Sequence, residues 1–270
     1  MTLPSLRTTL LSAATLALTA CGGEKGASLL FSADTRRIAS QSLSPVAQRV
    51  TAMESEPPLT FNSGDGMGFL LTQARIHLRD IRLDLPQGTS CADVTGLSAG
   101  VECKGSESSN TLIVDGPIVV DLLTGATTPN LGGLVIPAGT YKRIDFRLDE
   151  ARADEVAVNE PLIGYSMLVG ASFMDTSNKT LELRLKFSED ARFESATGVE
   201  VPEGGVLITL LNPAIWLEGL PLASCIQKGD VAFDGSVLRI DDRAKGDCSG
   251  AEDLVKRNIK RSGDLRKAGD

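Results

Sequence analysis

From Leu59 onward the chain alternates apolar and polar residues with a period of two. In KTLELRLKF, Leu181, Leu183, Leu185 and Phe187 share one face, while Thr180, Glu182, Arg184 and Lys186 share the other. That is the pattern of a half-buried strand. TYKRIDFRL repeats it, with Ile144, Phe146 and Leu148 inward and Tyr141, Arg143, Asp145 and Arg147 outward. In LLTQARIHLRDIRLDL, Ala74, Ile76 and Leu78 share a face, and Ile81, Leu83 and Leu85 follow out of phase. A β-bulge near Arg79–Asp80 reconciles the two halves. Further strands are predicted at TLIVDG, PIVVDLL, GLVIP, PLIGYSMLVGASFM, GGVLITLL, DVAF and SVLRID. Turn residues punctuate them at Pro137-Ala138-Gly139, Ser177-Asn178, Glu203-Gly204-Gly205 and Asp234-Gly235.

Two segments carry helical signals instead. Asn212 can cap a short turn that has Pro213 at its first position and Gly219 at its end. Ser249-Gly250-Ala251-Glu252 matches a capping box ahead of Leu254, Val255 and Ile259, in a helix expected to dock weakly and fray after Ser262-Gly263. Many short strands with so little helix predict a mainly β fold: an antiparallel β-sandwich of immunoglobulin- or transthyretin-like architecture, with one helical turn and a C-terminal helix.

Before Leu59 the pattern differs. Arg7 precedes the apolar run TTLLSAATLALTA, too short for a permanent membrane span and of the length of a secretory signal. Leu18-Thr19-Ala20-Cys21 resembles the bacterial lipobox, which implies cleavage before Cys21 and acylation of its thiol. Residues 1–20 are then a lipoprotein signal peptide and 21–58 a lipid anchor and tether, in which SLLFSADTRRI could form a short helix. Residues 59–222 are the β-sandwich, and 223–270 a disulfide-closed β-extension with the C-terminal helix, packed on the same domain. Gly22 rather than Asp after the anchor favours, by bacterial sorting rules, the outer membrane of a cell that has one.

Export gives the other four cysteines a meaning. Cys91, Cys103, Cys225 and Cys248 are an even set and read as two disulfides. Three pairings are open, and the simplest joins sequence neighbours. A zinc site lacks C-x-x-C spacing and a nearby histidine. Loss of Arg7 with the signal takes the formal net charge from −8 to −9. A chain this acidic lacks the basic surface that nucleic acid requires.

Catalytic chemistry is sparse. His77, the single histidine, falls on the polar face of its strand with Gln73, Arg75 and Arg79, and reads as a surface residue. Ser166 and Ser172 lie in a strand pattern without a G-x-S-x-G elbow. Asp149-Glu150, Glu189-Asp190 and Asp241-Asp242 are adjacent carboxylates, and neighbours on a strand point to opposite faces, so none is a ready acid–base pair. Asp241, Asp242 and Asp247 surround a loop that could hold structural calcium, though no D-x-D-x-D-G motif is present and Arg243 and Lys245 sit among the acids. Gly64-Asp65-Gly66-Met67-Gly68 precedes a strand and reads as a turn. Trp216, among Ile215, Leu217 and Leu220, reads as a core plug rather than a sugar platform.

Residues 116–148 carry a resemblance. Val120-Asp121-Leu122-Leu123, then Ile136-Pro137-Ala138-Gly139-Thr140-Tyr141 and the strand from Arg143, resemble a domain of unknown function of bacterial lipoproteins, whose pattern is D-L-L followed by L-P-A-G-x-Y. The resemblance implies an exported β-sandwich and supplies no catalytic residues. The sequence therefore leads to a non-enzymatic, lipid-anchored envelope module without a cofactor, whose partners are the membrane and a protein or polysaccharide of the envelope. The alternatives are a calcium-stabilised carbohydrate-binding or adhesion module and an envelope hydrolase using carboxylates from distant strands.

Overall fold

One long strand organises the molecule. It runs from Gly68 to Asp84, and its register against its neighbours shifts between Leu78 and Asp80. The bulge expected near Arg79–Asp80 is there. The computed structural model describes residues 26–33, 58–97, 100–106, 109–157, 160–175, 178–187 and 189–268. In chain order the first strands are β1 (Ala27–Ser32), β2 (Thr60–Asn62), β3 (Gly68–Asp84), β4 (Val101–Ser106) and β5 (Ser109–Asp121). β6 (Thr127–Thr128), β7 (Val135–Ile136), β8 (Gly139–Leu148), β9 (Met167–Phe173) and β10 (Thr180–Leu185) follow. Then come β11 (Glu189–Val201), β12 (Val206–Leu211), helix α1 (Leu222–Lys228), β13 (Phe233–Asp234), β14 (Val237–Arg239), helix α2 (Ala251–Arg261) and β15 (Gly263–Lys267).

Among the described residues the fold is mainly β, with two sheets that do not close into a barrel and a C-terminal helix, consistent with a β-sandwich. The bulge divides the larger sheet into two wings. Before it, β3 pairs with β9, and β10, β14 and β13 follow outward; after it, β3 pairs with β8, and β11 lies beyond. β5 runs along the opposite edge of β3 through both halves. The bulge reverses which parity faces inward, so Ile76 and Leu78 on one side and Ile81 and Leu83 on the other are all buried. Gly116 of β5 lies against it, where a Cβ would meet the carbonyls of Leu78 and Arg79.

The smaller sheet has the order β15-β12-β1-β7. β1 is an interior strand there, parallel to β12 and antiparallel to β7. Residues 27–32 are therefore neither tether nor helix: Phe31 is 1% exposed and meets Phe146 edge-on at 6.2 Å. The segment lacks a clean alternation because Ala27, Phe31 and Ser32 are all buried while Ser28 is exposed. Phe146 in turn packs edge-on against Phe193 of β11 at 4.8 Å, so the small sheet covers the β8–β11 wing. The β1–β12 and β10–β14 pairs are parallel, which departs from the purely antiparallel expectation.

Other departures have local causes. Tyr141 is buried, its hydroxyl donating to the Pro137 carbonyl at 2.5 Å, because the β11 register slips between Glu194 and Val199 and resets the parity of β8. Burial pushes its phenol well above the usual range. Asn212 caps the predicted short turn through the Ala214 amide. Helix α2, however, starts after Gly250 in a left-handed conformation, without a capping box. Nor does it fray: residues 263–267 pair with β12. The glycine turn before β3 also has a structural task. Asp65 accepts a hydrogen bond from Ser63 Oγ (2.6 Å) and one from the Ser224 amide (3.1 Å) in the first turn of α1, whose own cap, Pro221, offers no side-chain acceptor.

Candidate functional site

The alternation correctly puts Arg75, His77 and Arg79 on the face of β3 opposite the main core. That face is not open to water. After β8, residues 149–157 and 160–166 fold back over it as a flap, held by Ala151 N to Tyr165 O (3.0 Å), Gly164 N to Ala151 O (2.8 Å) and His77 N to Ser166 O (2.8 Å). Ala151 and Leu162 of the flap bury against Val119 of β5 and Leu168 of β9, with Val156 packed alongside. This second small core covers His77 completely, correcting its reading as a surface residue. Alternation assigns a side chain to a face and carries no information about what later covers that face.

Under the flap, His77 Nδ1 lies 2.9 Å from the carbonyl oxygen of Asp149. A carbonyl only accepts, so Nδ1 carries the proton. Nε2 is buried without a hydrogen-bond partner. Two arginines tie the flap to the strand on either side of the histidine. Arg75 Nη1 lies 2.7 Å from Glu160 Oε1, with side chains 25% and 9% exposed. This is a charge pairing out of hydrogen-bond alignment, and both Glu160 Oε1 and Arg75 Nε lack a hydrogen bond. Arg79 Nη1 donates to Glu155 Oε1 at 3.2 Å and approaches Asp149 Oδ2 at 3.6 Å.

Beside these pairs opens a cleft of about 490 Å³, lined by apolar Pro117, Val119, Pro129 and Val156 and by Glu155 and Glu160. Cleft and ion pairs together form the candidate site. Glu155 and Glu160 were missed from sequence because Pro161–Ser166 reads as the start of a strand, whereas β9 begins only at Met167. The available signal was the run of acidic residues from Asp149 to Glu160 facing three basic or imidazole side chains on β3.

The residues singled out from sequence have other positions. Asp241 is bound by Arg243, whose Nε donates to it at 2.9 Å, and this pairing holds the carboxyl below its usual range. Asp247 is ion-paired with Lys228, which likewise lowers its carboxyl. Asp242 joins neither pair, and among the described residues no group of three or more potential ligands gathers a metal. The structure does not bring the expected calcium ligands Asp241, Asp242 and Asp247 together: Arg243 takes Asp241, and Lys228, from helix α1, takes Asp247. Cys91 pairs with Cys103 and Cys225 with Cys248, with Cα–Cα distances of 5.5 and 6.0 Å, as the nearest-neighbour reading expected. Cys21, the expected lipidation site, lies outside the described residues.

Carboxylates from distant strands do meet, but through arginines. On the outer face of the β11–β8–β3 wing, Asp190, Arg147 and Asp80 form one row across the strands, and Arg192, Asp145 and Arg82 the next. Each charge has opposite charges as neighbours, and Asp145 accepts from Arg192 Nε at 2.8 Å. Ser166 is a clamp: its hydroxyl donates to the Phe187 carbonyl (2.7 Å) and accepts the Phe187 amide (2.8 Å). Among the described residues no helix is long and apolar enough to cross a membrane. Comparison with protein-family models, with curated proteins and with solved structures returned no match.

Proposed function

We propose that the chain is a lipid-anchored, non-enzymatic binding or structural module of the bacterial cell envelope. The observation that carries this reading is the lipobox-like Leu18-Thr19-Ala20-Cys21, standing directly ahead of a β-domain with two disulfides. Disulfides belong to oxidising compartments, and a lipidated cysteine provides the anchor. The likeness of residues 116–148 to a lipoprotein domain points the same way. The non-enzymatic part draws on what the reactive side chains already do. His77 is tied to the Asp149 carbonyl, Ser166 to Phe187, and Glu155 and Glu160 to arginines.

If the module binds a small ligand, the flap cleft is where it fits: apolar walls for a hydrocarbon body, and carboxylates for an amine or hydroxyl group. Two measurements test the reading. Mass spectrometry of the N-terminal peptide of the full chain, produced in bacteria, should find an acylated Cys21; an unmodified N-terminus would end the anchor hypothesis. A thermal-unfolding screen of the folded domain against amine- and hydroxyl-bearing envelope components tests the cleft. A ligand at a hundred times its Kd stabilises by about 2.7 kcal/mol. Turnover of any of these components, abolished by a cleft substitution, would make the protein an enzyme instead.

A further inference from the structure

The two disulfides stand in different surroundings. Cys225 and Cys248 are each 1% exposed, where they join α1 to the turn ahead of α2. Neither Cys91 nor Cys103 is buried; both are half-exposed. Cys91 opens a single helical turn, Cys91–Asp93, in which no residue is buried. Ser90 and Asp93 hold that turn by a reciprocal cap: Ser90 Oγ accepts the Ala92 amide at 3.1 Å, and Asp93 Oδ2 accepts the Ser90 amide at 2.7 Å. Cys103 lies on β4, which pairs with β5 alone and is an edge of the larger sheet. A thiol exchanges with a disulfide only where it can reach a sulfur, so access decides which of two such bonds reacts in the folded protein.

The half-exposed bond also ties the two sheets together. Cys103 pairs with Leu112 of β5, which pairs in turn with Leu83 of β3, so the disulfide continues a row of core residues at the sheet's edge. From Cys91 the chain runs as a strap toward the smaller sheet. Val94 enters the core, and Thr95 exchanges two backbone hydrogen bonds with Val135 of the edge strand β7, at 3.1 and 3.0 Å. Gly96 then lies so close to Gly133 that a Cβ would strike its carbonyl oxygen. The strap is thus held covalently at β4 and by a backbone bridge at β7. We infer that the disulfide of Cys91 and Cys103 is a thiol-exchange site, open to an external dithiol in the folded protein, and that its reduction frees the strap at the β4 end. Cys225 and Cys248 form the fixed bond. In the exchange, a thiolate of the dithiol attacks one sulfur, the S–S bond breaks, and the other sulfur leaves as a thiolate that takes up a proton. The second thiol of the dithiol then displaces the remaining cysteine, so two electrons and two protons pass to the protein and the dithiol becomes a disulfide. Nothing in this step depends on the lipid anchor.

Differential alkylation tests the site. The full oxidised chain is exposed to dithiothreitol without denaturant, free thiols are trapped with iodoacetamide at successive times, and mass spectrometry maps the label to each cysteine. Cys91 and Cys103 should be labelled about a hundredfold sooner than Cys225 and Cys248, because a buried bond reacts only after its surroundings open. The emission of the buried Trp216 should stay unchanged while the first pair reacts. Labelling of all four cysteines together, in step with a change in Trp216 emission, overturns the inference, as does earlier labelling of Cys225 and Cys248. Amide exchange on the same reduced chain tests the strap: the Thr95 and Val135 amides should exchange faster than before reduction, while those of β8 and β11 keep their rates. An unchanged rate at Thr95 would mean that packing alone holds the strap and would overturn its release. Cys91→Ser/Cys103→Ser should show the same faster exchange with no dithiol present. The labelling order is read on the native chain and needs no variant to fold.

Discussion

Trp216 donates its indole Nε1–H to the Ser262 hydroxyl at 3.0 Å, and both side chains are buried. The bond links the turn after β12 to the end of α2, where Ser262 in turn donates to the Ile259 carbonyl. Ser262→Ala leaves a buried indole N–H without an acceptor, which costs about 1–3 kcal/mol. Chemical denaturation should find a loss in that range, with Trp216 fluorescence reporting the same transition. A loss of a few tenths would mean that water replaces the hydroxyl.

Phe31 separates the strand reading of residues 27–32 from the tether reading. As a buried ring between the sheets, its truncation in Phe31→Ala should cost about 3–5 kcal/mol. In a solvated tether the same change would be neutral. Equilibrium unfolding of a chain containing residues 22–270 decides between them.

The two disulfides close loops with sequence separations of 12 and 23 residues. Loop-closure entropy grows only with the logarithm of length, so each should contribute about 3 kcal/mol, the longer about 0.6 more. The double variants Cys91→Ala/Cys103→Ala and Cys225→Ala/Cys248→Ala should lose nearly equal stability in denaturant titrations. A loss confined to one of them would show that loop length is not what governs the effect.

Asp65 gives the fold an acid dependence. Burial raises its carboxyl, yet the hydrogen bonds from Ser63 Oγ and the Ser224 amide outweigh this and hold it below its ordinary 3.8. A carboxyl depressed in the folded state stabilises above its unfolded value and loses that contribution as pH falls through the folded one. The stability gap between the native chain and Asp65→Asn should therefore be full at neutral pH and narrow below 3.8. Denaturant midpoints across an acid series measure it, and a gap unchanged into strong acid would refute the assignment.

The Arg75–Glu160 pair predicts a non-additive result. Arg75→Met leaves a 9% exposed carboxylate without its counter-charge and should cost about 2–3 kcal/mol, the low end for a buried pair because Arg75 keeps partial solvent contact. Arg75→Met/Glu160→Met should cost less than the single change. A double-mutant cycle with no coupling would mean that packing, not charge, holds the flap.

Much of the larger sheet could be read from the chain because its strands obey period two. The parity change between Leu78 and Ile81 even located the bulge. β11 escaped because its alternation lasts only through Ala191 and Phe193 before the register slips. β1 escaped because its burial does not alternate: Ala27, Phe31 and Ser32 are buried, while Leu29 and Leu30 between them are half-buried. The site was the least legible part. Arg75, His77 and Arg79 were on the page as one face, but their partners Glu155 and Glu160 lie on a flap that no periodicity governs. What converts an ordinary polar face into a covered one is tertiary, and a single sequence does not encode it as a pattern.

The small sheet joins the first described strand of the chain to the last: Ser28 lies beside Val206, and Leu207 beside Lys267. Pairings between such remote segments close slowly, since the intervening chain must first be brought to order. During synthesis β1 is made early and waits for β7 and then β12, and β12 in turn waits for β15. The β8–β11 wing, whose strands are nearer in sequence, has no such delay and offers the surface on which the small sheet is completed. The small sheet is therefore complete only once β15 has joined β12 on the side away from β1.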